Sequence, residues 1–147
     1  MLKIFNKYKD EIINEFGIKP MYEDQINKYG YKHLKHFGGV YPHDKFKPED
    51  NKCYIINTGN HNSVGYHWVA CYIKPTHLFL FDSFHREPHK IIHDIDKIAG
   101  RRQIVVSSWP EAIQKDYLEK EENICGQLSL AWLRCVNDYG IYNAILI

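Results

Sequence analysis

Cys125 is the residue of this chain whose position is most suggestive of chemistry. It lies where a polar, acidic segment gives way to the apolar positions that begin at Leu128. A thiolate is the reactive form of cysteine, and a helix N-terminus lowers the thiol pKa through its unpaired N–H groups and its dipole. Gly126 adds no side chain that would cover the thiol. The pattern fits a nucleophile, and it also fits a buried structural thiol, which is the commoner role of a Cys-Gly pair taken alone.

A nucleophilic cysteine needs a base and a third group that orients the base. His67 and Asp82 could supply them, because they lie at the outer ends of two predicted strands joined by a turn at 74–77. In such a hairpin the residue opposite His67 falls near 82 to 84. Side chains two residues apart on a strand point to the same face of the sheet, so Asp82 and His67 are expected on one face. We therefore expect the Asp82 carboxylate to hold the Nδ1–H of His67 and to leave Nε2 for the thiol. An ordinary packed histidine is the alternative.

The elements that must position these residues follow from hydrophobic periodicity and turn residues. Between residues 22 and 50 the pattern weakens and predicts a helix or an irregular segment. Elsewhere the pattern predicts helices over 2–16, 88–99 and 125–140, and strands over 53–57, 67–73, 77–82 and 103–107. We expect an α+β fold in which a small mixed β-sheet packs against a helix that carries Cys125 at its N-terminus, with a cleft between sheet and helix.

Length and composition limit the class of protein. The chain has 147 residues, 44% of them hydrophobic, and no repeat or linker, so we expect a single domain over 1–147. A formal net charge of +1 does not favour strong nucleic-acid binding. We find no apolar run of membrane-spanning length and no signal-peptide pattern, and we expect a soluble intracellular protein without a membrane partner. The four cysteines lack Cys-x-x-Cys spacing and are expected to be reduced.

Three pieces of sequence occur in order: His67-Trp68 before an apolar strand, Leu80-Phe81-Asp82-Ser83-Phe84, and Asn123-Ile124-Cys125-Gly126. This order resembles the adenain-like cysteine peptidases, the family of the adenovirus maturation protease. That clan also contains the SUMO-specific proteases and proteases of virophages and giant-virus-associated elements. Upstream segments at 37–45 and 55–59 resemble the run that precedes the family's catalytic histidine, so the resemblance covers residues 37 to 134. It implies a rearranged papain fold.

Carried over by position, the resemblance implies His67 as general base, Asp82 as the acid that orients it and Cys125 as nucleophile. The family takes an oxyanion hydrogen bond from a glutamine six or seven residues before the cysteine, where this chain has Glu119 and Leu118. Neither side chain can replace an amide donor. We expect Gln114 to serve instead, with Gln127 as its rival, and the backbone N–H of Cys125 as a second donor.

The activity that the resemblance implies is that of a cysteine endopeptidase. It would cut small-residue, glycine-containing motifs, with viral capsid or core precursors as protein substrates, in the virion or in the host cytoplasm or nucleus. A SUMO-type or deubiquitinase-like isopeptidase is the alternative, and a catalytically silent binding module of the same fold is another. The resemblance also permits activation by DNA or a peptide, which the scattered lysines do not support. No cofactor is expected.

Two other classes of function are weaker. His85, His89 and His93 recur every four residues and His33 and His36 form a close pair, but Pro88 interrupts the first series and no further ligand stands at metal spacing. We therefore expect solvated histidines and no metal. An acetyltransferase with the same order of histidine, acid and cysteine would need a coenzyme-binding region for which the chain has little room.

Overall fold

The computed structural model of the protein describes residues 1–59, 67–108 and 123–147, and in these ranges helices surround a five-stranded mixed sheet. The helices are α1 Leu2–Phe16, α2 Glu23–His33, α3 Pro88–Ile91, α4 Ile95–Ala99, α5 Cys125–Tyr139 and α6 Ile141–Ala144. The strands are β1 Phe37–Pro42, β2 Cys53–Asn57, β3 Trp68–Ile73, β4 His77–Phe81 and β5 Gln103–Val106, and a 3₁₀ turn spans His43–Lys45. This arrangement is compatible with the expected α+β class.

The strands lie in the order β1-β2-β3-β4-β5. The two outer pairs, β1 with β2 and β4 with β5, are parallel, while β2, β3 and β4 form an antiparallel meander. The predicted hairpin is confirmed, because Ala70 pairs with Phe81 and Ile73 pairs with Leu78. Its turn is closed by a 2.8 Å hydrogen bond from the Lys74 N–H to the His77 carbonyl. Continued outward, this register sets His67 opposite Phe84, as the sequence predicts.

Both faces of the sheet are buried, and alternate side chains of the strands enter two different clusters. Trp68 and Ala70 of β3, with Phe79 and Phe81 of β4, belong to the cluster that contains α1, α2 and α5. Their neighbours in the strands belong to the second cluster, which includes Phe46 and the isoleucines of the α3–α4 segment. The sheet therefore forms the middle layer between two sets of helices.

The helix that begins at Cys125 packs against the centre of the sheet, as predicted. Trp132 of α5 is fully buried and stacks on Phe81 of β4, with ring centroids 5.5 Å apart and planes at 12°. Its indole N–H donates to the Ala144 carbonyl at 2.9 Å, which fixes α6 against α5. The predicted apolar helix ending near Gly140 is thus confirmed, and its packing sets the position of its first residue.

The segment before β2 contains a strand that the sequence pattern does not reveal. β1 carries Gly38 and Gly39, residues that usually indicate a loop. A Cβ on Gly38 would lie 2.1 Å from the Tyr54 ring, so glycine lets β1 approach β2 closely. Gly39 has a φ of +114°, which marks the irregular register between Phe37 and Val40. The glycines that suggest a loop are therefore what allows the strand.

The prediction of one continuous helix over 88–99 is wrong. This segment contains two short helices, α3 and α4, and between them the chain is extended at Ile92, with φ −134° and ψ 92°. Ile92 and Ile95 are both fully buried against the sheet. Asp94 directs its carboxylate to His43 on the 3₁₀ turn rather than to its own helix, and the break in the helix accompanies that contact.

Two further expectations concern the cysteines and membranes. The four cysteines are all buried and none forms a disulfide, as predicted from their spacing. Within the described ranges, we find no helix long and apolar enough to cross a membrane.

Candidate functional site

The structure brings His67 and Asp82 into direct contact. The Asp82 carboxylate lies 2.5 Å from Nε2 of His67, across the open end of the β3–β4 hairpin. The side chain of Asp82 is 3% exposed and that of His67 is 12% exposed, so the contact is shielded from bulk water. The predicted pairing is correct, but the predicted nitrogen is wrong, because Asp82 holds Nε2 and not Nδ1. Register predicts which residues meet, whereas the ring nitrogen depends on side-chain rotation that register does not determine.

The carboxylate of Asp82 is held by three donors besides His67. Its Oδ1 accepts from the Phe84 N–H at 3.1 Å, and its Oδ2 accepts from the N–H and the Nε–H of Arg86 at 3.1 and 3.0 Å. Burial alone would raise the pKa of this carboxyl. The hydrogen bond and charge of His67, followed by Arg86 and the Phe84 N–H, outweigh burial and hold its pKa well below the usual range. Asp82 is therefore a firmly ionised, fixed acceptor.

Two side chains of the turn after β4, those of Phe84 and Arg86, pack next to the pair. The Phe84 ring lies 5.2 Å from the His67 ring, and the Arg86 guanidinium lies 5.0 Å from the Phe84 ring centroid. Arg86 thus contacts both the carboxylate and the aromatic ring that packs on the histidine. The turn after β4 therefore restrains the histidine and its acid together, an arrangement that lowers the entropic cost of orienting the imidazole.

Cys125 is brought to the same end of β3 by α5. Its Sγ accepts the backbone N–H of Trp68 at 3.3 Å, so the sulfur lies against the peptide bond that joins His67 to Trp68. Four residues further along α5, the Ser129 hydroxyl donates to the Trp68 carbonyl at 3.1 Å. Cys125 and Ser129 share one helix face because they are four residues apart. The backbone of Trp68 is therefore bound to α5 on both of its polar sides.

Replacing Ser129 tests this attachment. Ser129 is fully buried, and Ser129→Ala leaves the Trp68 carbonyl without that donor in the core. We expect the free energy of unfolding to fall by about 1 to 3 kcal/mol, the usual cost of leaving a buried polar group unsatisfied. Urea unfolding measures the change. The exposed Ser108→Ala variant is the control, and equal stability of the two variants would show that the bond does not hold α5 to β3.

The expected low pKa of the thiol is wrong. Burial raises the pKa of Cys125 to about 11, and the backbone N–H groups of Trp68, Gly126 and Cys125 only partly oppose it. Burial raises the pKa of Cys53 and Cys135 further, to about 12. The pKa of the fully buried Cys71 is well above its usual value. The N–H of Trp68 on β3, followed by the N–H of Gly126 at the helix start, offsets part of this burial, so the pKa of Cys125 is raised less than those of the other three thiols.

Alkylation measured against pH tests this ordering. We expect iodoacetamide to label Cys125 before the other three cysteines, because its thiolate is the easiest to form. Since the thiol pKa lies near 11, the rate should rise about tenfold per pH unit between about pH 7 and 10. Peptide mapping by mass spectrometry at each pH gives both results. A rate that is constant below pH 8 would contradict a protonated resting thiol.

The described part of the chain contains two of the three expected oxyanion-hole donors, Gln127 and the Cys125 N–H, and both are bonded to other groups. Gln114 lies outside the described residues. Gln127 is fully buried, and its amide donates to the carbonyls of Gly17 and Lys19 at 3.0 and 2.6 Å. Its amide therefore fastens the α1–α2 connection to α5, so Gln127 is neither a surface residue nor directed at the sulfur. The Cys125 N–H donates to the Asn123 side-chain carbonyl at 3.3 Å.

Gly126 has a packing role that the sequence does not suggest. The sequence suggests that it leaves the thiol accessible, but Gly126 is buried, and a Cβ there would lie 3.2 Å from Met21 and 3.4 Å from both Ile26 and Trp68. The Trp68 indole N–H donates to the Met21 carbonyl at 3.2 Å. Gly126 thus allows the first turn of α5 to pack closely against these residues.

The expectation of solvated histidines holds for His89 and His93, which are exposed, but of the three only His89 lies on a helix. That side chain is exposed and contacts Glu87 and Asp96. His85 precedes α3, is half-buried, and has a φ of +51°. Its Nε2 is buried without a hydrogen-bond partner among the described residues. His93 follows α3 and lies near His43, with ring centroids 5.2 Å apart.

Sequence reasoning missed four residues that shape the site. Ser129 could have been found, because it is a polar residue within an apolar helix, one turn after the cysteine. Phe84 and Asn123 lie in the segments that carry the resemblance, but no pattern predicts their contacts or those of Arg86, since these depend on how the turns at 82–86 and 123–125 are folded. They become recognisable only when Asp82 and Cys125 are seen with their donors and acceptors.

Comparison with protein-family models gives no match for this chain, and comparison with curated proteins gives none either.

Proposed function

We propose that this protein is a cysteine peptidase in which Cys125 is the nucleophile, His67 the general base and Asp82 the residue that orients the base. The observation that carries the proposal is the position of the Cys125 sulfur. It accepts the N–H of the residue that follows the histidine, while the Asp82 carboxylate holds the imidazole of that histidine. A buried thiol, an imidazole and an ionised carboxylate at one strand end have the types and order that acyl transfer requires.

The orientation of the imidazole assigns roles to its two nitrogens. Nε2 of His67 is hydrogen-bonded to the Asp82 carboxylate. Nδ1 is therefore the nitrogen that exchanges a proton with the thiol and then with the leaving group. The carboxylate stabilises the imidazolium that forms. Arg86 keeps the carboxylate ionised and in place, so it acts as a positioning residue rather than a catalytic one.

The reaction follows as two acyl transfers. The sulfur bonds to the scissile carbonyl carbon as its proton passes to His67, and the intermediate collapses to a thioester as the departing amine takes that proton. Water then attacks the thioester, gives a proton to His67 and releases the acid, while the thiol regains its proton. A thiol pKa of about 11 favours proton transfer during attack over a thiolate formed beforehand.

For substrate and family, the proposal rests on the resemblance to adenain-like enzymes. It extends to the rearranged papain fold, to cleavage at small, glycine-containing motifs, and to maturation of viral or virus-like precursors in the virion, or in the host cytoplasm or nucleus. A SUMO-type isopeptidase is the variant of this proposal with a diglycine-ended substrate. DNA or a peptide as activator belongs to the same resemblance.

A binding module of the same fold is the second candidate, and specific contacts favour it. The Cys125 N–H, an expected oxyanion donor, is bonded to Asn123, and the Gln127 amide is bonded to the α1–α2 connection. If these contacts persist with substrate, the developing oxyanion would lack two of the donors that we considered, and such donors are worth about 10²- to 10³-fold each in rate.

A peptide-library digestion distinguishes the candidates. The purified full chain is incubated with a denatured proteome digest and with a diglycine-ended ubiquitin-like substrate, and new termini are identified by mass spectrometry. A peptidase produces a reproducible motif that is absent with His67→Ala and retained with His77→Ala, a histidine on the far end of the hairpin. Cleavage of the diglycine substrate alone identifies the isopeptidase variant. No difference between wild type and His67→Ala would contradict the peptidase proposal.

A further inference from the structure

A second cluster of reactive side chains lies on the helical layer that carries α3 and α4. His43, His93 and Asp94 each offer one ligand atom, and the three atoms lie within 4.8 Å of one another. His43 is on the 3₁₀ turn after β1, whereas the other two residues lie between α3 and α4. Two segments about fifty residues apart in sequence thus converge on one point.

We propose that His43, His93 and Asp94 bind a divalent transition-metal ion, with zinc as the ion that fits best. Two imidazoles and a carboxylate are ligands that zinc accepts, and three protein ligands with an open fourth position are a known zinc arrangement. Ligand atoms bound tetrahedrally at about 2.0 to 2.1 Å lie about 3.3 Å apart. The His43–Asp94 distance of 2.7 Å is shorter than this ligand spacing, and no two of the three ligand atoms are more than 4.8 Å apart. Small side-chain rotations would therefore bring all three atoms to the spacing that zinc requires.

The backbone that carries the three ligands is fixed by its packing. Asp94 lies between the fully buried Ile92 and Ile95, and Phe46, which follows the 3₁₀ turn, packs on Tyr54 with ring centroids 4.7 Å apart. His43 itself is 3% exposed. Ligands on a restrained backbone lose little entropy on binding, which favours a preorganised site.

Asp94 supplies an independent indication. It occupies the N-cap position of α4, where an aspartate ordinarily accepts from its own helix, but it makes no side-chain cap hydrogen bond. Its carboxylate is 25% exposed and directed at the buried His43 instead. His93 is exposed, so its ring can rotate towards them without disturbing the core.

The open position of the bound ion would face an adjoining pocket. That pocket has a volume of about 240 Å³ and is lined by both His43 and Asp94, together with Asp44 and the lysines Lys45, Lys47 and Lys97. Besides the ligands, the lysines outnumber the single carboxylate of Asp44, and a positive lining suits an anionic fourth ligand, such as hydroxide. The ion would join the 3₁₀ turn to the α3–α4 segment, and the site is separate from the proposed peptidase residues.

Zinc titration of chelator-treated protein tests the site. The titration uses the full chain carrying Cys125→Ser, so that zinc cannot bind the thiol, with a chromogenic chelator as competitor. We expect one zinc per chain, and a rise in melting temperature of about 5 to 10 °C at a hundredfold excess over Kd. His93→Ala and Asp94→Asn should each abolish this binding. Both residues are at least partly exposed, so these variants are expected to fold.

His89→Ala is the matched control, because His89 is an exposed histidine of the same segment with two carboxylate partners of its own. It should retain one zinc per chain. Three results would overturn the proposal: no binding at 100 µM zinc, unchanged binding in His93→Ala, or loss of binding in His89→Ala. In each case the His43–Asp94 contact would be a hydrogen bond that serves the fold without a metal.

Discussion

Cys125→Ser should reduce peptide cleavage by at least about 10³-fold while the protein remains folded. The hydroxyl can still accept the Trp68 N–H, so the packing of α5 is kept. An unassisted serine is a far poorer nucleophile than cysteine, and loss of the nucleophile in such constellations removes nearly all of their catalysis. Initial rates on a peptide found in the library digestion measure the effect, and circular dichroism measures folding.

Cys53→Ala is the control for this substitution, since Cys53 is another buried thiol, and it contacts the Lys35 carbonyl rather than the site. It should change the cleavage rate by less than about threefold per unit of folded protein. If Cys125→Ser cleaves as fast as Cys53→Ala, then Cys125 is a structural thiol.

Asp82→Asn should lower kcat/KM by about 10²- to 10⁴-fold. The carboxylate accepts from four donors, and an amide can offer only one accepting oxygen. The NH₂ group of the asparagine must therefore face at least one N–H, so that two donors oppose each other. The imidazolium of His67 also loses its counter-charge. The exposed Asp96→Asn is the matched control, because Asp96 contacts His89 and not His67. Equal activity of the two variants would exclude Asp82 from the orienting role.

The same substitution should change how stability depends on pH. The pKa of the Asp82 carboxyl is depressed in the folded protein, chiefly by His67 acting against burial. Below the unfolded value of about 3.9, the unfolded chain takes up a proton that the folded protein still excludes. The stability that Asp82 contributes is present above that pH and is lost as pH falls further. Urea unfolding between pH 6 and 3 should show a shallower decline for Asp82→Asn than for wild type.

The hairpin that joins His67 to Asp82 was predictable because two short, β-rich segments flank a short turn, and the turn determines their register. The 77–82 segment and the 67–73 segment can pair in few ways once the turn at 74–77 is fixed. Each is apolar on both faces, in agreement with a sheet covered by helices on both sides. The helix from Cys125 was equally clear, since its apolar run is long and ends at Gly140.

Other features depend on tertiary contacts that a sequence pattern does not encode. β1 was missed because its glycines serve a close approach to Tyr54, and the break between α3 and α4 accompanies the contact of Asp94 with His43. The thiol pKa was misjudged because a helix end is visible in the sequence, whereas the burial of Cys125 is not. The same applies to Gln127, whose partners lie about 110 residues away in the chain.

A covalent trap of the nucleophile tests the central claim most directly. The full chain is treated with a glycine-ended peptide that carries a thiol-reactive group in place of its carboxylate, and the adduct is mapped by mass spectrometry. We expect one adduct per chain, on Cys125, with a rate at least about 10²-fold lower in His67→Ala and unchanged in His77→Ala. Adducts spread over the four cysteines, or formed equally fast in His67→Ala, would contradict a nucleophile activated by His67 and Asp82.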